Sequence, residues 1–317
     1  MNRIGLLDAL RGFAVLGLLF AHFPSTGGTA LSISYPPVLG WETAHTADWV
    51  FTSIFIDGAM RGLFATLFGA SMVVMVYGGG PDQEAMRRAR FAARCAGLVV
   101  LGAVHISLAA WASDILWIYA IAGLGALMLI TLPPAVLAGL FVTAMALFVA
   151  HAGVTDISAA PPGQAALAEE AQAHAGGYGA QVVGSIRTWW SWMTPGSVLA
   201  RLTEAGGYML LGAALMKSGL LIDPPRRLAH GALAAGLVIG VALCGYAAVH
   251  AIDVDFAYVA DLHPLMRVGK PFMVIAYIAA FALALNTRWV RAGVQAVLAP
   301  VGRVALSAYV ASSVGML

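Results

Sequence analysis

The stretch Arg3–Pro24, RIGLLDALRGFAVLGLLFAHFP, decides the fold. It has the length and apolar character of a lipid-crossing helix, which needs about 20 such residues, yet it carries Asp8, Arg11 and His22. Ionisable groups inside such a segment are costly and normally face a bundle interior or a wet cavity. Arg11 and His22 are separated by 22 − 11 = 11 positions. That spacing turns a helix through about 1100° and advances it about 16 Å, so the two lie within roughly 20° on one face. A cation near one side of a bilayer and an imidazole near the other, on one stripe, read as the two ends of a path through the protein. The plainer alternative is an Asp8–Arg11 pair at i,i+3 with a histidine at the headgroup level.

Composition extends this reading to the whole chain. Its residues are 61% hydrophobic and only 10% charged, with a mean hydropathy of +0.86, whereas soluble domains run near ~25% charged. The expected fold class is all-α, a polytopic helical bundle in lipid of about nine spans, forming one membrane domain over residues 1–317. The net charge of +2 gives no reason to expect nucleic acid as a partner. Cys95 and Cys244 both fall in apolar segments and read as small packing residues. No cleavable signal peptide is expected, because the first segment is too long and carries Asp8 and Arg11.

The other spans are expected near Phe51–Tyr77, Phe91–Ala112, Asp114–Leu132, Ala135–Ala152, Ser197–Met216, Leu228–His250, Pro271–Leu285 and Val294–Leu317. The first of these is overlong, and Trp49–Asp57 reads as a short interfacial helix before a span from about Arg61. Trp189, Trp190 and Trp192 read as an interfacial belt. On the nine-span reading Arg3, Arg87, Arg88, Arg90, Arg94, Lys217, Arg226, Arg227, Arg288 and Arg291 share one side. The opposite connections, 25–48, 153–188 and 251–269, hold only Arg187 and Arg267, with Lys270 at their edge. The positive-inside rule then puts the N-terminus and the basic loop 79–94 in the cytoplasm. The long outer loops suggest that something is handled on the outer face, and the Ala/Glu/Gln patch in 153–188 reads as a surface helix.

A second polar group lies toward that outer face. His105 sits two turns from the end of its span, Asp114 opens the next, and Tyr119 follows. His105 and Asp114 can face the interior with His22. Alternatively, His105 bonds a backbone carbonyl and Ser113–Asp114 caps a helix. Arg201 and Glu204 at i,i+3, and Asp57 and Arg61 at i,i+4, read first as local ion pairs. The chain has no G-x-S-x-G elbow, no P-loop and no H-E-x-x-H spacing, so no metal is expected. The basic run MRRARFAAR reads as a topology anchor on anionic lipid, or as a docking patch for a phosphorylated donor.

LLDALRGFAVLGLLFAHF resembles the opening signature of the YeiB-like bacterial membrane proteins. The likeness continues through GAMRGLFATLFGASMVV, RRARFAARCAGLVVLGAVH and ASDILWIYAIAGL, then RLTEAGGYMLLGAALMKSGLL and APVGRVALSAYVASSVG. It departs at His22, where that family typically has asparagine, and the family runs on past Leu317 with a late G-P-x-E motif. Arg11 and His22 together also resemble the first-helix R-x(10)-H of acyltransferase family three. Both families are grouped with heparan glucosaminide acetyltransferase in a transmembrane acyltransferase superfamily.

The resemblance implies that a cytosolic acyl-CoA, with acetyl-CoA the leading candidate, passes its acyl group through the bundle to a hydroxyl or amine acceptor outside. It implies a donor-binding role for Arg11, with Asp8, Arg87, Arg90 and Tyr119 beside it, and chemistry at His22, His105 and Asp114. The implied location is the bacterial inner membrane. The implied partners are lipid, acyl-CoA, an envelope or glycan-type acceptor and a second copy as homodimer. An imidazole titrating near 6.5 suits proton removal from such an acceptor. Two other classes compete: a proton-coupled transporter or channel using His22, His105 and Asp114, and a non-catalytic envelope-binding subunit.

Overall fold

The computed structural model describes residues 3–26, 35–39, 41–154, 161, 163–259 and 263–314. Among the described residues the chain is all-helical. The helices are α1 (Arg3–Thr26), α2 (Thr43–Phe55), α3 (Ala59–Tyr77), α4 (Glu84–Leu108), α5 (Leu116–Leu129), α6 (Pro134–Val154), α7 (Gln164–Ala175), α8 (Gly177–Ser191), α9 (Pro195–Lys217), α10 (Arg226–Asp253), α11 (Pro264–Ala284), α12 (Arg288–Arg303) and α13 (Ala305–Val314).

Helical boundaries follow local chemistry. Gly58, with φ of 68°, separates α2 from α3; a side chain there would be strained, so glycine makes the break. The Thr194 hydroxyl accepts the Ser197 N–H at 3.2 Å, and Pro195 fills the first helical position of α9, a combination that fits a helix start. The interfacial helix expected at Trp49–Asp57 is α2, starting earlier, at Thr43. The Ala/Glu/Gln patch is α7.

The protein is a membrane protein, and among the described residues five segments are long and apolar enough to cross a bilayer. They are Thr43–Tyr77, Pro81–Leu108, Pro134–Ala152, Arg226–Asp253 and Pro264–Ala284, with a sixth if α12 and α13, bent by 72°, count as one. Helix α5 is apolar but only 14 residues long. Helices α1 and α9 carry Asp8, Arg11, Arg201 and Glu204 within their apolar runs.

The main core joins α1, α3, α4, α5, α6, α9 and α11 through residues such as Leu10, Leu63, Leu67, Phe91, Tyr119, Met209 and Val274. A smaller core packs α2 against α10 and α11 around Phe256, Trp41 and Trp49. Close backbone approach organises the helix pairs. A Cβ built on Gly12 of α1 would collide with the Leu298 carbonyl of α12, and one on Gly302 would collide with that of Asp8. In lipid, small residues permit this dispersion contact between backbones.

Basic side chains satisfy helix ends across these seams. Lys217 of α9 donates to the carbonyls of Ile130 at 2.7 Å and Leu132 at 2.6 Å, just past the end of α5. Arg88 donates to Leu127 at 3.1 Å, and Arg291 to Leu285 at 2.6 Å. The last carbonyls of a helix are orphan acceptors at its negative end, where a cation is favoured.

Two residues assigned from sequence to an outer loop or its edge prove to be buried in α11, which begins at Pro264 instead of Pro271. Arg267 donates to the Phe148 carbonyl at 2.6 Å and lies over the Phe148 ring at 4.2 Å. The Lys270 ammonium donates to the Ser53 carbonyl, and Tyr277, seven residues on, donates to Phe55 at 2.6 Å. One face of α11 thus caps the C-terminus of α2, which explains a lysine that is 5% exposed. A charge-assisted bond to an orphan carbonyl offsets the desolvation of the ammonium.

Candidate functional site

Helix α4 ends near His105, and the chain turns through residues 109–115 into α5. That turn returns Asp114 to the helix it has just left. His105 Nδ1 lies 2.7 Å from Asp114 Oδ1, and both side chains are fully buried. The second oxygen, Oδ2, accepts the Leu116 N–H at 2.9 Å. Asp114 therefore holds the start of α5, as its place before that helix suggests, and also meets His105. Gly102, one turn before His105, makes room for this, since a Cβ there would sit 2.8 Å from Asp114 Oδ2.

A carboxylate on Nδ1 favours the tautomer with a proton on that nitrogen, leaving the Nε2 lone pair available. His105 Nε2 is buried and has no hydrogen-bond partner among the described residues. Unsatisfied buried polar atoms are rare enough to require a reason, and a basic nitrogen oriented by a carboxylate is suited to moving a proton. Tyr309 of α13 borders the pair. Its ring meets the imidazole edge-on at 5.4 Å, and its hydroxyl accepts the Ile115 N–H at 3.4 Å. Sequence reasoning did not single out Tyr309, although the segment around it was quoted for its likeness to known proteins.

A second cluster lies on α1, α3 and α4. Arg11 pairs with Asp8 at 2.9 Å and donates to the Ser71 hydroxyl, which in turn donates to the Leu67 carbonyl. Asp8 is 5% exposed. Arg94 lies over the Phe68 ring at 5.6 Å, near enough for its charge to act on Arg11. Asp8 is thus paired with Arg11, Arg94 adds a second guanidinium nearby, and the local excess of positive charge suits an anion. Arg94 and His105 are 105 − 94 = 11 positions apart on α4, the spacing of Arg11 and His22 on α1. They share a face about 16 Å apart along the axis. This recurrence was present in the sequence and is the signal that could have found Arg94. The His22 imidazole lies outside the described residues.

The remaining expected site residues are held by the scaffold. Tyr119 is fully buried and donates to the Arg61 carbonyl at 2.6 Å. Arg87 donates to Gln83 at 3.3 Å and to the Met75 carbonyl at 3.2 Å, near the end of α3. Arg90 is exposed on the first half of α4. Glu204 pairs with Arg61 through two contacts of 3.0 and 3.2 Å, joining α9 to α3, whereas sequence placed Arg201 first as its partner. Arg201 lies over the Trp192 ring at 5.5 Å.

An open cleft of about 700 Å³ runs along α2, lined by Trp41, Thr46, Val50 and Ile54. It shares no lining residue with either cluster. No group of three or more metal-ligating side chains occurs among the described residues.

Where α10 ends and α11 begins, two imidazoles and two phenols form a patch. His250 contacts Tyr246, Tyr258 and His263 at centroid distances of 5.9, 5.7 and 6.3 Å. Burial, then the neighbouring His250, lowers the His263 pKa from 6.5. Burial pushes Tyr258 up to about 12, and its hydroxyl donates to the Ala247 carbonyl at 3.0 Å.

Comparison with known proteins gives likeness without an activity. Residues 215–317 match the family described as "Protein of unknown function (DUF418)". The chain is 29% identical over 336 aligned residues to "Uncharacterized protein YeiB" of Escherichia coli (strain K12), covering 98% of this chain and 81% of that protein. It is 34% identical over 141 residues to "Uncharacterized protein YxaH" of Bacillus subtilis (strain 168), covering 38% of this chain and 31% of that one. No solved structure matches the chain. The chain is thus similar to YeiB along nearly its whole length, and its last third carries the DUF418 pattern.

Proposed function

We propose that the chain is an acyl-CoA-dependent membrane acyltransferase, with the His105–Asp114 dyad as its proton-moving centre. The observation that carries this reading is the fully buried histidine, bonded to a carboxylate through Nδ1 and unpartnered among the described residues at Nε2. In the proposed reaction the Nε2 lone pair takes the proton from an acceptor hydroxyl or amine as the acceptor heteroatom bonds the thioester carbonyl carbon. The carbon–sulfur bond then breaks, and the departing CoA thiolate takes that proton from the imidazolium. Asp114 keeps the imidazole oriented and stabilises its cationic form.

Arg11 and Arg94 supply the charge that holds the donor's phosphates, and the 11-residue spacing on α4 sets Arg94 about 16 Å from His105 along the helix axis. The proposed placement is the bacterial inner membrane, with nine crossings, the N-terminus in the cytoplasm and the dyad toward the outer face. The acceptor belongs to the envelope, and acetyl-CoA is the proposed donor.

A proton-coupled transporter can also use a buried Asp–His pair. Reconstituted vesicles separate the two. With labelled acetyl-CoA and an envelope extract on opposite sides, the acyltransferase releases CoA in proportion to label transferred. Proton or solute movement without CoA release overturns the assignment in favour of transport.

A further inference from the structure

Helix α8, from the long outer loop, lies against α4. Its Tyr178 hydroxyl donates to the carbonyl of Leu108, the last residue of α4. Further along, Trp189 meets Trp117 of α5 edge-on at 6.0 Å. Ser185 is four residues before Trp189 and so shares its face. Three polar atoms at this seam are buried without a hydrogen-bond partner among the described residues: Ser185 Oγ, Trp117 Nε1 and Trp189 Nε1. Ser185 itself is 9% exposed. The seam adjoins the dyad, because a Cβ on Gly102 would lie 3.2 Å from the Trp117 backbone nitrogen and 2.8 Å from Asp114 Oδ2.

Indole N–H groups only donate, and a serine hydroxyl donates or accepts. Native proteins seldom bury such groups unsatisfied, and a cluster of three beside an orphaned imidazole calls for a ligand that brings oxygen lone pairs. None of these three groups carries a charge, and Arg187 of the same helix is at an exposed position. Indole rings also give an apolar wall for the carbon face of a ligand.

We infer that α8 and α5 form a binding wall for a neutral, hydroxyl-bearing acceptor, in which Ser185, Trp117 and Trp189 donate to acceptor oxygens beside His105. This deepens the acyltransfer reading and rests on it for the word acceptor, though the binding itself does not require transfer.

The test uses the full chain in detergent and methyl α-D-glucopyranoside as the neutral probe, with D-glucuronate as the charged comparison. Binding is read by saturation-transfer NMR without acyl-CoA. Wild type should bind the neutral probe saturably, and more tightly than the charged one. Ser185→Ala and Trp189→Phe, which each remove one of these hydrogen-bonding groups, should each weaken binding by roughly threefold to tenfold or more, threefold to tenfold being the effect of one neutral hydrogen bond. Trp190→Phe, at a position 72% exposed, should leave it unchanged. No saturable binding by wild type, or equal binding by all three variants, overturns the inference. Variant-sensitive binding in a protein that never releases CoA leaves the wall standing and removes the acyltransfer reading alone.

Discussion

Arg61 and Glu204 are joined at 3.0 Å across 143 residues of sequence, and their pairing fixes α3 against α9 at the level where Tyr119 also bonds Arg61's carbonyl. Glu204 is 8% exposed. Breaking this pair from one side strands the Arg61 charge, and because that side chain keeps 34% of its surface exposed, the loss falls below the ~3–5 kcal/mol of a fully buried pair. Glu204→Ala should therefore lower thermal stability more than Arg201→Ala. A smaller loss at Glu204 than at Arg201 in a detergent melting experiment would return the carboxylate to its sequence neighbour.

The α11 face that caps α2 makes a separate prediction. Lys270→Met keeps most of the apolar stem but leaves the Ser53 carbonyl without its donor. Loss of a charge-assisted bond of this kind costs about 1.5–3 kcal/mol. Tyr277→Phe removes only a neutral bond to Phe55 and should cost about 0.5–1.5 kcal/mol. Melting curves of both variants check the order, and limited proteolysis near residues 53–58 should rise first in Lys270→Met.

On the proposed function, Arg11 holds the donor. Arg11→Ala in folded protein should weaken acetyl-CoA binding by about one to two decades, the equivalent of one lost charge-assisted contact. Arg94→Ala should act in the same direction. Arg187→Ala, at an exposed position of α8, should have no effect. Equal calorimetric titrations for wild type and Arg11→Ala would remove its donor role. Because Arg11 also pairs with Asp8, the melting temperature has to accompany the titration.

The imidazole patch where α10 meets α11 gives a pH dependence. His263 Nδ1 accepts the Leu265 N–H at 3.3 Å, capping α11, and its pKa is lowered from 6.5. The folded state therefore binds fewer protons than the unfolded state between the lowered value and 6.5. Stability is full above about 6.5 and is lost as pH falls through that window. His250 faces the same ring, with Tyr258 beside it. His263→Asn keeps a capping oxygen without the titration and should flatten the fall in melting temperature between about pH 7 and 5. An unchanged slope in that variant would assign the effect to another group.

The bundle was legible because hydropathy and backbone hydrogen bonding leave few choices in lipid. Helices occur at all nine expected segments, though Pro271 proved internal to α11 and not its start. Single-helix pairs were also legible, since Asp8–Arg11 needs only i,i+3 spacing. His105 and Asp114 were found as candidates, but their contact depends on the turn at 109–115, whose geometry includes Ala110 at φ of 46°. Arg61–Glu204, Lys270–Ser53 and Tyr309–His105 were not legible. They join segments 143, 217 and 204 residues apart, the last being 309 − 105, and no local period encodes which helices become neighbours. Trp189 illustrates the same limit: the belt reading suits Trp190, which is exposed, while the Trp189 indole nitrogen is buried against α5.

The most direct test of the account is single-turnover transfer of labelled acetyl groups by His105→Asn in vesicles, alongside wild type and Asp114→Asn. Asparagine keeps a hydrogen-bonding side chain but has no titratable base. His105→Asn should bind acetyl-CoA normally and transfer about 10²–10⁴-fold more slowly, with Asp114→Asn also impaired because the tautomer is no longer held. Wild-type transfer by folded His105→Asn would contradict this, and would leave the buried dyad a structural pair.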